Sequence, residues 1–94
     1  MTKIEREDNG KNGRFAIYED SSYAGEMTYV WAGNTRIIID HTGVEDEYNG
    51  KGYGKLLVMA AVDFARADKV KILPLCPFAK LIFDRNKDIQ DVRL

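Results

Sequence analysis

Among the residues that could do chemistry, the most distinctive set is Tyr48-Asn49-Gly50-Lys51-Gly52-Tyr53-Gly54-Lys55-Leu56-Leu57, a glycine-rich turn running into an apolar stretch. Glycines at alternate positions let a backbone come close to a ligand. Amides in the first turn of a helix have no partner within it, and with the positive end of the helix dipole they favour an anion such as a pyrophosphate. Lys51 and Lys55 add positive charge nearby. The better-known phosphate loops are excluded by spacing. A nucleoside-triphosphate loop needs a glycine where this chain has Asn49 and a Ser or Thr where it has Leu56. A dinucleotide fingerprint needs its third glycine three residues after the second, and Gly50, Gly52 and Gly54 do not meet that. The plain alternative is a flexible loop that ends in a helix cap. The single cysteine, Cys76, and the single histidine, His41, are the other reactive side chains.

These groups have to be positioned by strands and one long helix. The chain reads as strands over Lys3–Arg6, Arg14–Glu19, Ala24–Trp31 and Thr35–Thr42. The first two are joined by Asp8-Asn9-Gly10-Lys11-Asn12-Gly13, whose residue types tolerate left-handed backbone and mark a hairpin. Met27, Tyr29 and Trp31 alternate with more polar neighbours, a strand pattern, and Ile37-Ile38-Ile39 is β-branched enough for a central strand. An acidic connection, Val44-Glu45-Asp46-Glu47, leads to the glycine turn. Gly52 to Asp68 is the long helical candidate, with Leu56, Ala60 and Phe64 in one row and Leu57, Ala61 and Ala65 in the next, a wide face to lay on a sheet. Val70 to Leu75 returns as a strand, with Pro74 ending pairing on one side. Pro77 to Arg85 is a terminal helix. Trp31, Tyr29 and Phe64 read as core aromatics. The predicted order is four strands, helix, strand, helix, an α/β fold.

Ninety-four residues suggest one small domain over 1–94. With 45% hydrophobic and 31% charged residues the composition is globular, and a net charge of −1 offers nucleic acid no general attraction. No apolar run approaches the roughly 20 residues of a membrane helix, and the first residues carry no apolar signal core. A cytoplasmic location, with neither nucleic acid nor membrane as partner, is the expectation. One cysteine cannot make an internal disulfide, and one His and one Cys far apart do not form a zinc set.

With those elements in place, the chain resembles the GNAT acetyltransferase superfamily, whose signature is Arg or Gln, two residues, Gly, one residue, Gly or Ala. Asn49-Gly50-Lys51-Gly52-Tyr53-Gly54 matches it except at the first position. Within the superfamily it is similar to the very small type with a Cys-Pro-Phe segment, here Cys76-Pro77-Phe78, over about residues 13 to 90. The resemblance implies a mixed, mostly antiparallel sheet in which two parallel strands, 35 to 44 and 70 to 75, splay apart to receive the pantetheine arm of acetyl-CoA. It implies that the backbone of Thr42, Gly43 and Val44 pairs with that arm and polarises the acetyl carbonyl. Asn49, Gly50, Lys51, Gly52, Tyr53, Gly54 and Lys55 would hold the pyrophosphate, although Tyr53 equally suits packing at a helix start. The reaction implied is transfer of an acetyl group to a primary amine, with CoA as product. Acceptor-binding helices of larger members are not matched, so an open acceptor site for a polyamine or a protein amino group is expected, in a monomer or a homodimer that supplies missing walls. Phe83 falls near where larger relatives use a tyrosine as general acid.

Amine acetylation requires a proton to leave the amine and one to reach the departing thiolate. Cys76 precedes Pro77, a favoured first helical residue. A cysteine at a helix start is a candidate acyl carrier or general acid; a small buried core residue is the third reading. His41 is its one possible imidazole partner and a candidate base, or else a hydrogen-bonded structural residue. Glu45, Asp46 and Glu47 are alternative bases, or a solvated loop. Two other classes of function stay open: a module that binds acetyl-CoA without turnover, and a thiol-exchange or redox protein centred on Cys76.

Overall fold

The computed structural model describes residues 1–94. Its strands are β1 (Thr2–Asp8), β2 (Asn12–Glu19), β3 (Ser22–Trp31), β4 (Arg36–Val44) and β5 (Lys71–Pro74), and its helices α1 (Tyr53–Asp68) and α2 (Pro77–Arg85). The fold is α/β in the predicted order, with two short 3-10 turns added at Asp46–Tyr48 and Lys87–Val92. One sheet runs β1-β2-β3-β4-β5; its pairs are antiparallel except β4–β5, which is parallel. No helix is long and apolar enough to cross a membrane.

Local chemistry explains the joints. In the β1–β2 turn, Asn9 Oδ1 accepts from the amides of Lys11 and Asn12, while Asp8 Oδ1 accepts from Gly10 N–H at 2.7 Å. The β2–β3 joint is tighter. Asp20 and Ser21 both take positive φ, 48° and 73°, which gives the two-residue hairpin whose twist matches its strands. Helix α1 ends on Lys69 in left-handed geometry.

One face of the sheet carries both helices. Phe15 and Ile17 of β2, Met27 and Tyr29 of β3, Ile37 and Ile39 of β4 and Ile72 of β5 are buried there. From α1 they meet Leu57, Val58, Ala61, Val62 and Ala65. Each such Leu, Ile or Val removed from water contributes about 1.5–3 kcal/mol. The helix is rolled from the expected facing. The Leu57 row is core, but Leu56 is 42% exposed and Ala60 and Phe64 lie at the margin. Gly54 lies on the buried side, turned toward α2: a Cβ there would stand 2.6 Å from Phe78 Cζ. Of the three expected core aromatics only Tyr29 is fully buried. Trp31 and Phe64 are half-buried, the first donating its Nε1–H to Asp8 and the second lying under the Arg6 guanidinium at 4.1 Å.

Two bulges shape the strands, and the second governs the site. Thr28 pairs with His41 and Tyr29 with Ile39, so Asp40 is an extra residue in β4. The bulge reverses the alternation of β4. Ile37 and Ile39 point into the core, and beyond Asp40 it is Thr42 and Val44, not His41 and Gly43, that face the helices.

Candidate active site

The parallel pairing of β4 and β5 stops at Ile39 opposite Pro74. Proline has no N–H to continue the ladder. The next two amides, Leu75 N and Cys76 N, both turn to Ile39 O, at 3.0 and 2.9 Å, and the chain leaves β4 for α2. The outer edge of β4 from Asp40 to Val44 is therefore unpaired on the β5 side, while its other edge stays bonded to β3. Gly25 permits that close approach; a Cβ there would lie 2.7 Å from Gly43 O.

Below this divergence lies a cleft of about 500 Å³ between the end of β4, the loop before α1, and α2. Thr42 and Val44 form one wall, Asn49, Gly50, Gly52, Tyr53, Gly54 and Lys55 another, and Tyr48, Phe78 and Ile82 close it. The loop supplies the polar character. Gly50 and Gly52 have φ of 83° and 78°, left-handed values that favour glycine, and Gly52 is the N-cap of α1. The first amide of this stretch with a protein acceptor is Leu56 N, bonded to Gly52 O at 3.1 Å; those of Gly50 to Lys55 have none. Those amides, at a helix start beside the Lys55 side chain, are free donors of the kind an anion accepts from.

The three glycines meet different surroundings within the chain. No atom lies within 4 Å of a Cβ placed on Gly50 or Gly52, so the backbone conformation, not crowding within the chain, is what requires them. Gly54 is required by the ring of Phe78. Lys51 does not line the cleft. Its ammonium is drawn away to Glu19 Oε1 at 2.6 Å, which leaves Lys55 as the basic side chain that lines the cleft. Tyr53 donates its hydroxyl to the same oxygen. The Lys51 hydrogen bond, and then that of Tyr53, hold the Glu19 carboxyl below its ordinary pKa, and Glu19 raises both partners.

Cys76 occupies the N-cap of α2, as predicted, but its sulfur makes no cap hydrogen bond. The buried thiol donates instead to Thr42 Oγ1 at 3.4 Å. His41 is not its partner. It stands exposed on the opposite face of the sheet, with Nε2 3.1 Å from the Cβ position of Gly43. Gly43 faces the same way and does not line the cleft. Glu45, Asp46 and Glu47 are exposed. Phe83 is fully buried on the core side of α2 and does not reach the cleft; the aromatic of α2 that does is Phe78. Phe78 and Ile82 were legible as an i, i+4 pair on one face of a short helix. Glu19 carried no signal, because its partners are remote in sequence.

Residues 14–92 match the family model described as GCN5-related N-acetyl-transferase. The chain belongs to the GCN5-related N-acetyltransferase family. Among solved structures it is similar to a GCN5-like putative N-acetyltransferase from Staphylococcus aureus, with 39% identity and a TM-score of 0.75, covering 98% of this chain and 87% of that one. A ribosomal-protein-alanine N-acetyltransferase from Brucella melitensis biovar Abortus 2308 shares the fold at 17% identity and a TM-score of 0.71, covering 82% of this chain and 62% of that one. A GNAT family acetyltransferase from Elizabethkingia anophelis, solved with acetyl-CoA bound, shares it at 10% identity and a TM-score of 0.67, covering 78% and 63%. The chain thus spans under two thirds of those two larger family members. A search of curated proteins finds none that matches. The parallel pair β4 and β5, which parts beyond Ile39, is the pair that the resemblance implied.

Proposed function

We propose that this chain is an N-acetyltransferase that binds acetyl-CoA in the cleft and acetylates a primary amine. One observation carries the reading: the unpartnered amides of Gly50 to Lys55 and the unpaired edge of β4 border the same cleft. Bound there, acetyl-CoA supplies an acetyl group activated as a thioester. The loop amides and Lys55 hold the pyrophosphate, Asn49 and Tyr53 flank it, and the Thr42–Val44 backbone pairs with the pantetheine arm and polarises the acetyl carbonyl.

Cys76 and His41 stand on opposite sides of β4, and in this reading they take separate roles. Cys76, on the helix face beside Thr42, gives its thiol proton to the departing thiolate. His41, on the uncovered face, takes the proton of an amine that approaches from that side. Proton exchange with solvent restores both. The uncovered face offers no enclosing wall, which suits a polyamine or a protein amino group. Cys76 is a free thiol and fits a reducing compartment such as the cytoplasm.

Calorimetric titration with acetyl-CoA and CoA tests the first half, and release of free CoA thiol across an amine panel tests the second. Cys76→Ala and His41→Gln are expected to keep affinity and to lower turnover by about 10²-fold each. Unchanged turnover removes the residue concerned from the mechanism. Binding without release of thiol for any amine favours a non-catalytic acetyl-CoA module.

A further inference from the structure

We infer that Glu19, at the end of β2, is a positioning residue for the anion-binding loop, which it grips through Lys51 and Tyr53 so that the amides of Gly50 to Lys55 are set before a phosphate arrives. The inference rests on the acetyl-CoA reading above and concerns a residue that does not line the cleft. Its basis is geometric. Glu19 Oε1 accepts from Lys51 Nζ at 2.6 Å and from the Tyr53 hydroxyl, across 32 and 34 residues of sequence. Lys51 also lies 5.4 Å from the Tyr48 ring and 5.9 Å from that of Tyr53, and the two rings stack with centroids 6.0 Å apart at 28°. Both tyrosines are buried, so the grip has a rigid base.

The loop needs such a grip because Lys51 sits between two glycines with left-handed φ. Glycine loses the most conformational freedom on ordering, and a ligand that must order a loop binds more weakly for it. One carboxylate that holds both the residue between the glycines and the first residue of α1 removes that cost in advance.

Charge alone predicts the opposite effect. A carboxylate near a pyrophosphate repels it, so if Glu19 acted only by its charge, Glu19→Gln would tighten CoA binding. Positioning predicts weaker binding. The sign therefore decides.

The test uses the intact chain with CoA as the calorimetric probe, acetyl-CoA in steady-state assays, and amide hydrogen exchange without ligand. Glu19→Gln is expected to raise the Kd for CoA about tenfold, the order of one charge-assisted hydrogen bond. The KM for acetyl-CoA should rise by a similar factor while kcat at saturation stays within about twofold. Amides of residues 50–55 should exchange faster, and those of β3 and β4 should not. Tyr53→Phe keeps the ring and every charge, covers the case in which Glu19→Gln fails to fold, and is expected to raise Kd about threefold. Equal or tighter binding in the folded variants overturns the positioning role and leaves the acetyl-CoA reading intact. A natural chain that binds no CoA overturns both.

Discussion

Gly54 carries a packing role that its place in the sequence does not announce. Its place in a glycine pattern suggests close approach to a phosphate, yet its absent side chain makes room for the Phe78 ring, which α2 lays on the first turn of α1. Gly54→Ala forces that ring to move and is expected to destabilise the fold by about 1–3 kcal/mol, measured by urea denaturation. The double variant Gly54→Ala/Phe78→Ala should cost less than the sum of the two single changes, because the clash is gone. Additive costs would place the strain elsewhere. The Cys76 thiol is a parallel case: its position at the start of α2 was legible, and its partner Thr42 was not.

At the scale of elements, the joints between strands carry more information than the strands. The β2–β3 hairpin places Ser21 at a φ of 73°, a conformation that costs a residue with a Cβ roughly 1–2 kcal/mol. Ser21→Gly is therefore expected to stabilise the chain by about 1 kcal/mol, seen as a rise in Tm by differential scanning calorimetry. A fall in Tm would mean that the hairpin is not under this strain. The Asp40 bulge has the larger functional effect. Strict alternation carried on from Ile37 and Ile39 would place His41 on the helix face with Cys76, but the extra residue puts Thr42 there and sends His41 to the other side. The same logic holds for α1, where two helical rows were visible and packing against the sheet and α2 left the Leu57 row as core.

In the whole molecule, carboxylates pair with both neighbouring side chains and segments far apart in the chain. Asp8 Oδ2 accepts from Tyr29 and Trp31 and pairs with Arg6, Asp91 pairs with Arg66, Asp84 with Lys80 and Arg93, and Glu19 with Lys51. All four carboxyls lie below their ordinary pKa values. At Asp8 desolvation works to raise the value, and the hydrogen bonds from Tyr29, Gly10 and Trp31 outweigh it. A carboxyl with a depressed folded pKa contributes stability above its unfolded value, and that contribution is lost as the pH falls through the folded one. Stability is thus expected to be full near neutrality and to decline below about pH 4, as a falling urea midpoint. Asp8→Asn should cost about 1–2 kcal/mol at pH 7 and progressively less toward pH 2, where the natural side chain is itself neutral. A pH-independent cost would assign Asp8 a packing role. On the alkaline side, burial and then the bond to Asp8 push the Tyr29 hydroxyl up to about 12, so its contribution is complete below its ordinary value near 10 and lost as the pH rises through 12.

By itself the sequence determined the order of elements, the glycine turn at the start of the long helix, the place of Cys76 before Pro77 and the point at which Pro74 stops the parallel ladder. These follow from short-range rules: alternation, helical periodicity, and the backbone limits of glycine and proline act over a few residues and are written in neighbouring letters. Only the tertiary structure decided that Asp40 bulges, that His41 and Cys76 lie on opposite faces, that Phe78 and not Phe83 reaches the cleft, and that Glu19 draws Lys51 away from it. Each of those depends on pairing register or on contacts between residues more than 20 positions apart, where a slip of one residue reverses the face a side chain occupies and no local pattern records which register has the lower free energy.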